Sequence, residues 1–562
     1  MSPIASAQPQ PVARTVLPDP LYYLANFRRV IQRVYERYDD LLSTEERDFY
    51  RRLQLLNGDA QALYVRLLTR KGPLFRTSKL RYQEIADQPQ AIAGLVAQQL
   101  VTQPSEINLL DAFPLFTKQE WLGLLPDAAA QRLAKPALVP LLQNLTEPVQ
   151  AIIEQQDESL IQLESSEHFA TFCLLYFSNG RQDLTEFVLR DLGVYRFENY
   201  SLARATRVFT HREQIDKMLC YYRLRDALDD LASLSREEIL ALSLQLPTMT
   251  SPHHQDKCRG DTLVHRRTER LRLRLARQLE RLEAWQDALA LYRQCQQQPS
   301  RERQVRILYR LAQHQAALQL CQQMFDSLSE AEQTFARQFQ PKLLKALGQT
   351  VTKPAPPVLN EVQLFLTAGD SPNVELAVAQ SLSVNGDCFY VENTLFLCIF
   401  CLAFWDAIFA DVPGAFSNEF QTGPHDLYEE DFANRRSQHF KHGWQKLASW
   451  RRAPDELLQF ADQKRGIATP FHMGFMPAPE LLKLAITRIS LHHWQIIFER
   501  LLRDLKENRN GLPDLIYFPD EGGYELVEVK GPGDRLQKNQ LRWLRYFAEH
   551  HIPCQVAYVQ WQ

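Results

Sequence analysis

The sequence lacks the segments that direct a chain into a membrane or out of the cell. Its N-terminus, MSPIASAQPQPVARTVLPDP, has no apolar stretch of signal-peptide length, and its content of proline and glutamine predicts a disordered tail over residues 1–20. The longest apolar run, Leu395 to Trp405, is too short for a bilayer, which needs about 20 residues. These absences predict a soluble cytoplasmic protein.

Cysteine is sparse and shows no framework. The nine cysteines are scattered, mostly within apolar helical segments, which indicates reduced thiols rather than disulfides. Only Cys398 and Cys401 form a CxxC pair, and no second pair or nearby histidine would complete a zinc site. We therefore expect two buried core cysteines on a helix.

A large charge of one sign is also missing. The formal net charge of 562 residues is −3, which by itself predicts no polyanionic partner but leaves room for local basic surfaces. The hydrophobic content of 45% and charged content of 23% are ordinary for globular proteins. A chain of this length should divide into about three to four domains.

One such basic segment lies in ALYVRLLTRKGPLFRTSKLRY, which contains no acidic residue. Gly72-Pro73 predicts a turn among the cations, and Phe75 and Tyr82 are interspersed with them. The segment is a candidate for contacts to the DNA backbone, and the alternative is a solvated basic surface. The candidate phosphate ligands are Arg66, Arg70, Lys71, Arg76, Lys79 and Arg81.

The rest of the first 350 residues is predicted to be helical. Two short helical segments resemble the SAP fold, a small DNA-binding module: LLDAFPLFTKQEWLGLL and AAAQRLAKPALVPLLQN. Any helical hairpin would also give this pattern. The candidate phosphate ligands in these segments are Lys118, Arg132 and Lys135. Two later segments align at an offset of 29 residues and predict a tetratricopeptide-like stack. The aligned pairs are Leu279/Leu308, Leu282/Leu311, Ala288/Ala317 and Leu289/Leu318.

A proline-rich linker, TKPAPPV from Thr352, precedes a region of mixed α/β character. The predicted divisions are a tail (1–20), a helical N-terminal DNA-binding domain (21–105), a SAP-like domain (106–147), a tetratricopeptide-like helical domain (148–350) and an α/β domain (351–562). The chain is thus a mainly α, multidomain protein with one C-terminal α/β domain.

The most informative stretch is GLPDLIYFPDEGGYELVEVKGPGDRLQKNQ, residues 511–540. Two strand-like runs flank the turn DEGG and predict a hairpin. Alternation with period two places Glu528 and Lys530 on one face of the second strand, and Asp514 begins the first strand at the same edge.

Two carboxylates at one point repel each other and favour a divalent cation. Mg²⁺ or Mn²⁺ prefers oxygen ligands and retains water that can serve as a nucleophile. A lysine beside them would position that water or stabilise charge on a phosphate. The alternatives are a surface Glu/Lys pair and an aspartate that only starts a turn.

The whole cassette resembles the PD-(D/E)XK nucleases of the VRR-NUC type and, more narrowly, the Fanconi-associated nuclease family. Beyond PD and ExK, the similar features are NRNGLPDL, EVKGPGDRL and the following helix with Gln540 and Trp543; upstream, LYYLANF, QALYVRLLTRKGPLFR and SNGRQDLTEFVLRDLG are also similar. The resemblance covers nearly the whole chain and implies a restriction-endonuclease-like C-terminal domain.

The resemblance also implies roles for particular residues. Lys530 would be the catalytic lysine, and Gln540 would orient the metal-bound water or a phosphate. For Glu392, at the start of an apolar helix, the alternative is a partner of the helix dipole. The implied ligands of one or two Mg²⁺ or Mn²⁺ ions are Glu392, Asp514, Glu528 and the backbone carbonyl of Val529.

The implied function is a structure-specific DNA nuclease, with 5′-flap endonuclease and 5′-to-3′ exonuclease action in the repair of interstrand crosslinks. Eukaryotic members carry an N-terminal ubiquitin-binding zinc finger, whereas no cysteine precedes Cys173 here. We therefore expect a bacterial-type member, associated with the nucleoid when it acts on DNA. The alternatives are a non-catalytic helical-repeat scaffold and a nuclease of the same fold with another substrate, such as a restriction-type or RNA-directed enzyme.

Overall fold

The computed structural model describes residues 19–70, 72–125, 130–180, 182, 187, 196–247, 259–327, 329–351, 358–367, 373–472 and 474–562. The chain forms two compact units, residues 1–194 and 195–562. The predicted tail lies almost entirely outside the described residues, as does most of the predicted linker TKPAPPV. The five-part domain division stays a prediction.

The first unit is mainly helical, as expected. Its first helix buries an apolar stripe that includes Val30, Ile31 and Val34. The second begins with a capping box, in which the Ser43 hydroxyl accepts from the Glu46 amide and the Glu46 carboxylate accepts from the Ser43 amide. The α-helices are Tyr22–Tyr38, Thr44–Leu55, Gly58–Leu68, Gln88–Ala97, Leu109–Ala112, Lys118–Leu122, Val139–Gln143, Pro148–Gln155 and Ser166–Phe177.

The first unit also contains a small sheet that the sequence did not predict. β1 (Leu74–Arg76) and β2 (Val101–Thr102) each pair antiparallel with the central strand β3 (Leu160–Leu163). Strands of two to four residues are too short to show a period of two, so the sequence pattern could not reveal them.

The predicted SAP-like helices are shorter and more broken than expected. Helix Leu109–Ala112 is followed by a 3₁₀ turn at Phe113–Leu115, and another 3₁₀ turn, Lys135–Leu138, precedes helix Val139–Gln143. Both turns contain a proline, which cannot donate a helical hydrogen bond. Trp121 is fully buried in the core that these pieces share.

In the second unit, the predicted 29-residue repeat forms two helical hairpins. The turn of each hairpin contains one non-glycine residue with a φ of 58°, Glu283 and Ala312, which are 29 positions apart. The aligned residue Leu282 is 43% exposed and lies outside the core. The aligned residues that are buried in both copies are Leu279, Ala288 and Leu289 with Leu308, Ala317 and Leu318.

The second unit consists of the helices of this repeat, further helices and a mixed sheet. The helices up to residue 350 are Arg212–Ala227, Arg236–Leu244, Arg259–Arg281, Trp285–Arg293, Ser300–Arg310, His314–Gln323 and Glu330–Ala346. The later helices are Val374–Leu382, Leu395–Ala403, Trp405–Ile408, Ser437–Arg452, Pro454–Lys464, Pro479–Arg488, Leu491–Arg503, Leu505–Asn508 and Lys538–Glu549.

The sheet has five strands in the order β4-β8-β7-β6-β5. β7 and β4 run parallel to β8, whereas β6 is antiparallel to both β7 and β5. The register Leu515↔Val527 and Tyr517↔Glu525 confirms the predicted hairpin. The strands are β4 (Glu361–Leu366), β5 (Gly386–Tyr390), β6 (Leu515–Pro519), β7 (Glu525–Lys530) and β8 (Cys554–Trp561).

Each face of β7 contacts a different apolar core. Leu526 packs into the larger core with Trp494 and Trp543, whereas Val527 and Val529 pack against a smaller core on the other face. The predicted alternation is therefore confirmed. Because side chains alternate along a strand, Glu528 lies on the same face as Leu526, within the interior of the protein.

The helix Leu395–Ala403 buries Cys398 and Cys401, as predicted for core cysteines. Burial raises the pKa of Cys398 to about 12, so it stays a thiol. Across the described ranges, no helix has both the length and the apolar character needed to cross a membrane.

Candidate active site

Asp514 is fixed by backbone contacts to two neighbouring strands. Its Oδ2 accepts a hydrogen bond of 2.9 Å from the Val529 amide of β7. Its own carbonyl accepts one of 2.8 Å from the Val391 amide, just beyond β5. The side chain is buried, so the end of the hairpin holds a carboxylate in a defined position.

Glu528 and Lys530 meet on one face of β7, as the period of the strand predicted. Lys530 Nζ donates to Glu528 Oε1 at 2.7 Å, and Glu528 is fully buried. The other oxygen, Oε2, is buried with no hydrogen-bond partner in the described part of the chain. A buried polar oxygen without a partner is costly, and a bound cation or another donor would satisfy this one.

The electrostatics also favour a cation. Burial, and then the charge of Asp514, raise the pKa of Glu528 to about 8 against the opposing effect of Lys530. Burial likewise raises the pKa of Asp514 to about 6, although the Val529 amide and Lys530 act in the opposite direction. Two carboxyl groups that resist ionisation side by side would both ionise once a divalent ion is bound.

Glu392 lies in the turn between β5 and the helix Leu395–Ala403, three residues before that helix begins. Its expected position at the start of the helix is thus corrected. The carboxylate is exposed and accepts a hydrogen bond from the Tyr390 hydroxyl. Its charge contributes to the raised pKa of both Asp514 and Glu528, and the amide of its neighbour Val391 donates to the Asp514 carbonyl.

Glu375 is a further acidic residue whose charge acts on Asp514, and it was not selected from the sequence. It lies in the first turn of the helix Val374–Leu382, and its charge also contributes to the raised pKa of Asp514. An acid in the first turn is a common partner of the helix dipole, so no local pattern distinguishes Glu375 as a site residue.

The residues fit a divalent ion with an open coordination sphere. Within the described ranges, no three His, Cys, Asp or Glu side chains converge closely enough to enclose a metal by themselves. The site instead offers two buried carboxylates with further acids nearby, which leaves positions for water and phosphate oxygens. Mg²⁺ characteristically binds in this way, through one or two carboxylates plus water and substrate.

Gln540 is the third residue of the helix Lys538–Glu549, and its Oε1 accepts from the Gln537 amide at 2.9 Å. This contact caps the helix, and the proposed role toward water or phosphate stays a prediction. The helix start lies against the loop that carries Asp514, since a Cβ on Gly511 would be 2.7 Å from the Asn539 carbonyl carbon.

Two of the predicted phosphate ligands are engaged inside the protein. Arg76 is buried, with Nη1 2.8 Å from Glu120 and Nε 2.7 Å from Glu158. Arg66 pairs with Glu84 and lies over the Tyr23 ring. The structure corrects the prediction of Arg76 as a phosphate ligand, because its guanidinium is buried against two carboxylates. Those two acids come from distant parts of the sequence.

The other predicted phosphate ligands differ in exposure. The exposed ones are Arg70, Lys79, Arg81 and Arg132. Lys118 donates to the Gln131 carbonyl at 2.9 Å, and the Lys135 ammonium lies over the Phe113 ring. Lys71 lies outside the described residues.

The chain matches two family models, the FAN1 HTH domain over residues 21–102 and the VRR-NUC domain over residues 449–561. It is 36% identical over 562 residues to the Fanconi-associated nuclease 1 homolog of Pseudomonas aeruginosa, covering 98% of each chain. It is 24% identical to the Arabidopsis thaliana homolog, covering 96% of this chain and 67% of that protein. The solved structure of paFAN1 bound to 2nt 5′ flap DNA with gap superimposes with a TM-score of 0.82 at 35% identity, covering 98% of this chain and 100% of that one.

The fold and the site define a nuclease with a C-terminal VRR-NUC domain, whose class depends on divalent metal. The chain belongs to the Fanconi-associated nuclease family, and it is a structure-specific DNA nuclease.

Proposed function

We propose that this nuclease cuts one strand of branched DNA beside a 5′ flap and then degrades it in the 5′-to-3′ direction. The observation that carries the reaction is the buried oxygen of Glu528, next to Asp514 and Lys530, for which the described part of the chain supplies no hydrogen-bond partner. Two solved relatives are complexes with 5′ flap DNA, which supports the choice of substrate. The family supports a role in interstrand crosslink repair.

The metal would be Mg²⁺ or Mn²⁺, as one or two ions. The residues proposed to hold it are Asp514, Glu528, Glu392 and the backbone carbonyl of Val529, with Glu375 close by. When bound, such an ion lowers the pKa of water and offsets charge on the phosphate.

The chain's own groups would position the substrate. Lys530 holds a positive charge at the buried carboxylate and would stabilise the negative charge that develops on the phosphate. Gln540 would orient water or a phosphate oxygen through its amide. The exposed cations of the first unit would bind backbone phosphates, so that binding weakens steeply as salt rises.

The test is cleavage of a labelled 5′-flap DNA with Mn²⁺ by the intact protein, by Asp514→Ala and by Asp520→Ala. Asp520 is an exposed carboxylate in the same hairpin and serves as the matched control. We expect the first variant alone to lose cleavage while DNA binding persists. Equal cutting by all three would overturn the proposed site, and binding without any cutting would favour the scaffold alternative.

A panel of substrates tests the choice of DNA structure. The proposed function requires faster cutting of the 5′ flap than of linear duplex DNA or RNA under the same conditions. A preference for linear duplex or for RNA would establish the alternative of a related nuclease with another task.

A further inference from the structure

Tyr428 and Arg509 form an exposed aromatic and cationic pair that the proposed chemistry does not use. Arg509 Nη1 donates to the Tyr428 hydroxyl at 2.7 Å, and the guanidinium carbon lies 5.3 Å from the ring centroid. The tyrosine is 38% exposed. Among the described residues, no carboxylate pairs with Arg509, so its charge remains available.

Arg509 is connected to the active site through the chain itself. Arg509 is five residues before Asp514, and the intervening segment is fixed at both sides. The Leu512 amide donates to the side chain of Asn393, the neighbour of Glu392, at 3.2 Å. The Gly511 backbone contacts the start of the helix that carries Gln540. The backbone of Arg509 therefore leads directly into the loop that supplies Asp514.

Tyr428 is held rigidly, because residues on both sides of it are anchored by ion pairs. Asp426 is fully buried and accepts two hydrogen bonds from the buried Arg436, at 2.7 and 2.9 Å. Glu429 pairs with both Arg259 and Arg266 of a long helix. A surface tyrosine with such support loses little conformational entropy when a ligand covers its ring.

Single-stranded DNA has the chemistry that matches such a pair. Unpaired bases stack on exposed aromatic rings and on guanidinium planes, and a cation beside the ring binds the adjoining phosphate. Duplex DNA offers no free base face for this contact. On the basis of the proposed function, we propose that Tyr428 and Arg509 form a stacking platform for an unpaired nucleotide of the strand that enters the active site.

The test compares binding of gapped flap DNA, in Ca²⁺ without cleavage, by the intact protein and by Tyr428→Ala. The flap is prepared either with normal bases or with abasic nucleotides. We expect Tyr428→Ala to weaken binding of the normal flap roughly tenfold, and to leave binding of the abasic flap unchanged. Tyr428→Phe should retain most of the affinity, since the ring face is preserved.

Phe365→Ala serves as the control, because Phe365 is an exposed aromatic on β4, at the opposite edge of the sheet from β5. Equal losses on the normal and abasic flaps, or no loss on either, would overturn the platform. Arg509→Gln gives an independent result, a decrease of about one in the slope of log affinity against log salt. If the intact protein binds flaps but never cuts them, the proposed function fails while this comparison still tests the platform.

Discussion

Two buried glutamates, Glu158 in the first unit and Glu528 in the second, differ in the hydrogen bonds to their carboxylates and in the direction of their pKa shifts. Burial by itself would raise the pKa of Glu158, but hydrogen bonds from Ser78 and Arg76 outweigh it and lower the pKa to about 2. Among the described residues, Glu528 has one donor, Lys530, and one oxygen without a partner, and its pKa rises to about 8.

The difference lies in the donors around each carboxylate. The protein satisfies the charge of Glu158 with backbone amides, hydroxyls and a guanidinium, which makes it a structural ion pair. Around Glu528 the described residues supply fewer hydrogen-bond donors than an ionised, buried carboxylate requires. Such a deficit is common in sites that bind a ligand. Replacing each glutamate should therefore affect a different property of the protein.

The largest expected effect is on catalysis. Glu528→Gln keeps the shape but removes the charge that would hold the metal, and we expect the cleavage rate to fall by roughly 10³-fold, equivalent to several kcal/mol. Without metal the melting temperature should stay the same or rise, because the neutral glutamine takes the place of a carboxyl that must bind a proton when the protein folds. Single-turnover cleavage and calorimetry measure the two properties, and a large loss of stability with retained cleavage would reverse the assignment.

The matched change in the first unit, Glu158→Gln, should do the opposite. It leaves Arg76 buried with a weakened partner, and breaking a buried pair typically costs about 3 kcal/mol. The cleavage rate of the folded protein should stay within about twofold of the original at low temperature. Urea unfolding followed by a probe in the first unit gives the free energy. An unchanged midpoint would show that Glu158 is not structurally important.

The two glutamates should also have opposite effects on the pH dependence of stability without metal. The pKa of Glu528 is raised from 4.5 to about 8, so the folded state binds the extra proton and its stability falls as pH rises from about 4.5 to 8. The pKa of Glu158 is lowered, so its stabilising contribution is lost as pH falls from about 4.5 to 2.

Urea midpoints between pH 5 and 8.5 check the first half of this statement. As pH increases, the urea midpoint of Glu528→Gln should rise relative to that of the intact protein. Mn²⁺ should reduce this difference, because it stabilises the intact protein alone. Parallel curves for the two proteins would contradict the raised pKa.

A smaller effect is expected at the edge of the acidic site. The Tyr390 hydroxyl donates to Glu392, so Tyr390→Phe removes a contact that orients a proposed ligand without changing any carboxylate. We expect the Mn²⁺ concentration for half-maximal cleavage to rise about tenfold, with a similar rate at saturating Mn²⁺. Tyr517→Phe, on the neighbouring strand, is the control. A lower rate at every metal concentration would argue against an orienting role.

Sequence reasoning was most successful where local patterns determine the structure. The turn DEGG and the period of YELVEVK were sufficient to predict the hairpin and the shared face of Glu528 and Lys530. It failed where the partner is remote in sequence. Arg76 belonged to a segment without acids, but Glu120 and Glu158 reach it across the fold, and no local pattern shows such a pairing.

The smallest expected effect concerns the cations that the first unit leaves exposed. Arg81 has no acidic partner among the described residues, whereas Arg76 is held by two, so Arg81→Gln should weaken binding of flap DNA roughly threefold and reduce the salt slope by about one. The change should be equal for all DNA sequences, because phosphates carry no sequence information. Arg76→Gln should instead lower stability, and any loss of affinity should disappear once binding is corrected for the folded fraction. A salt slope that changes in Arg76→Gln but not in Arg81→Gln would mean that the buried arginine, and not the exposed one, faces the DNA.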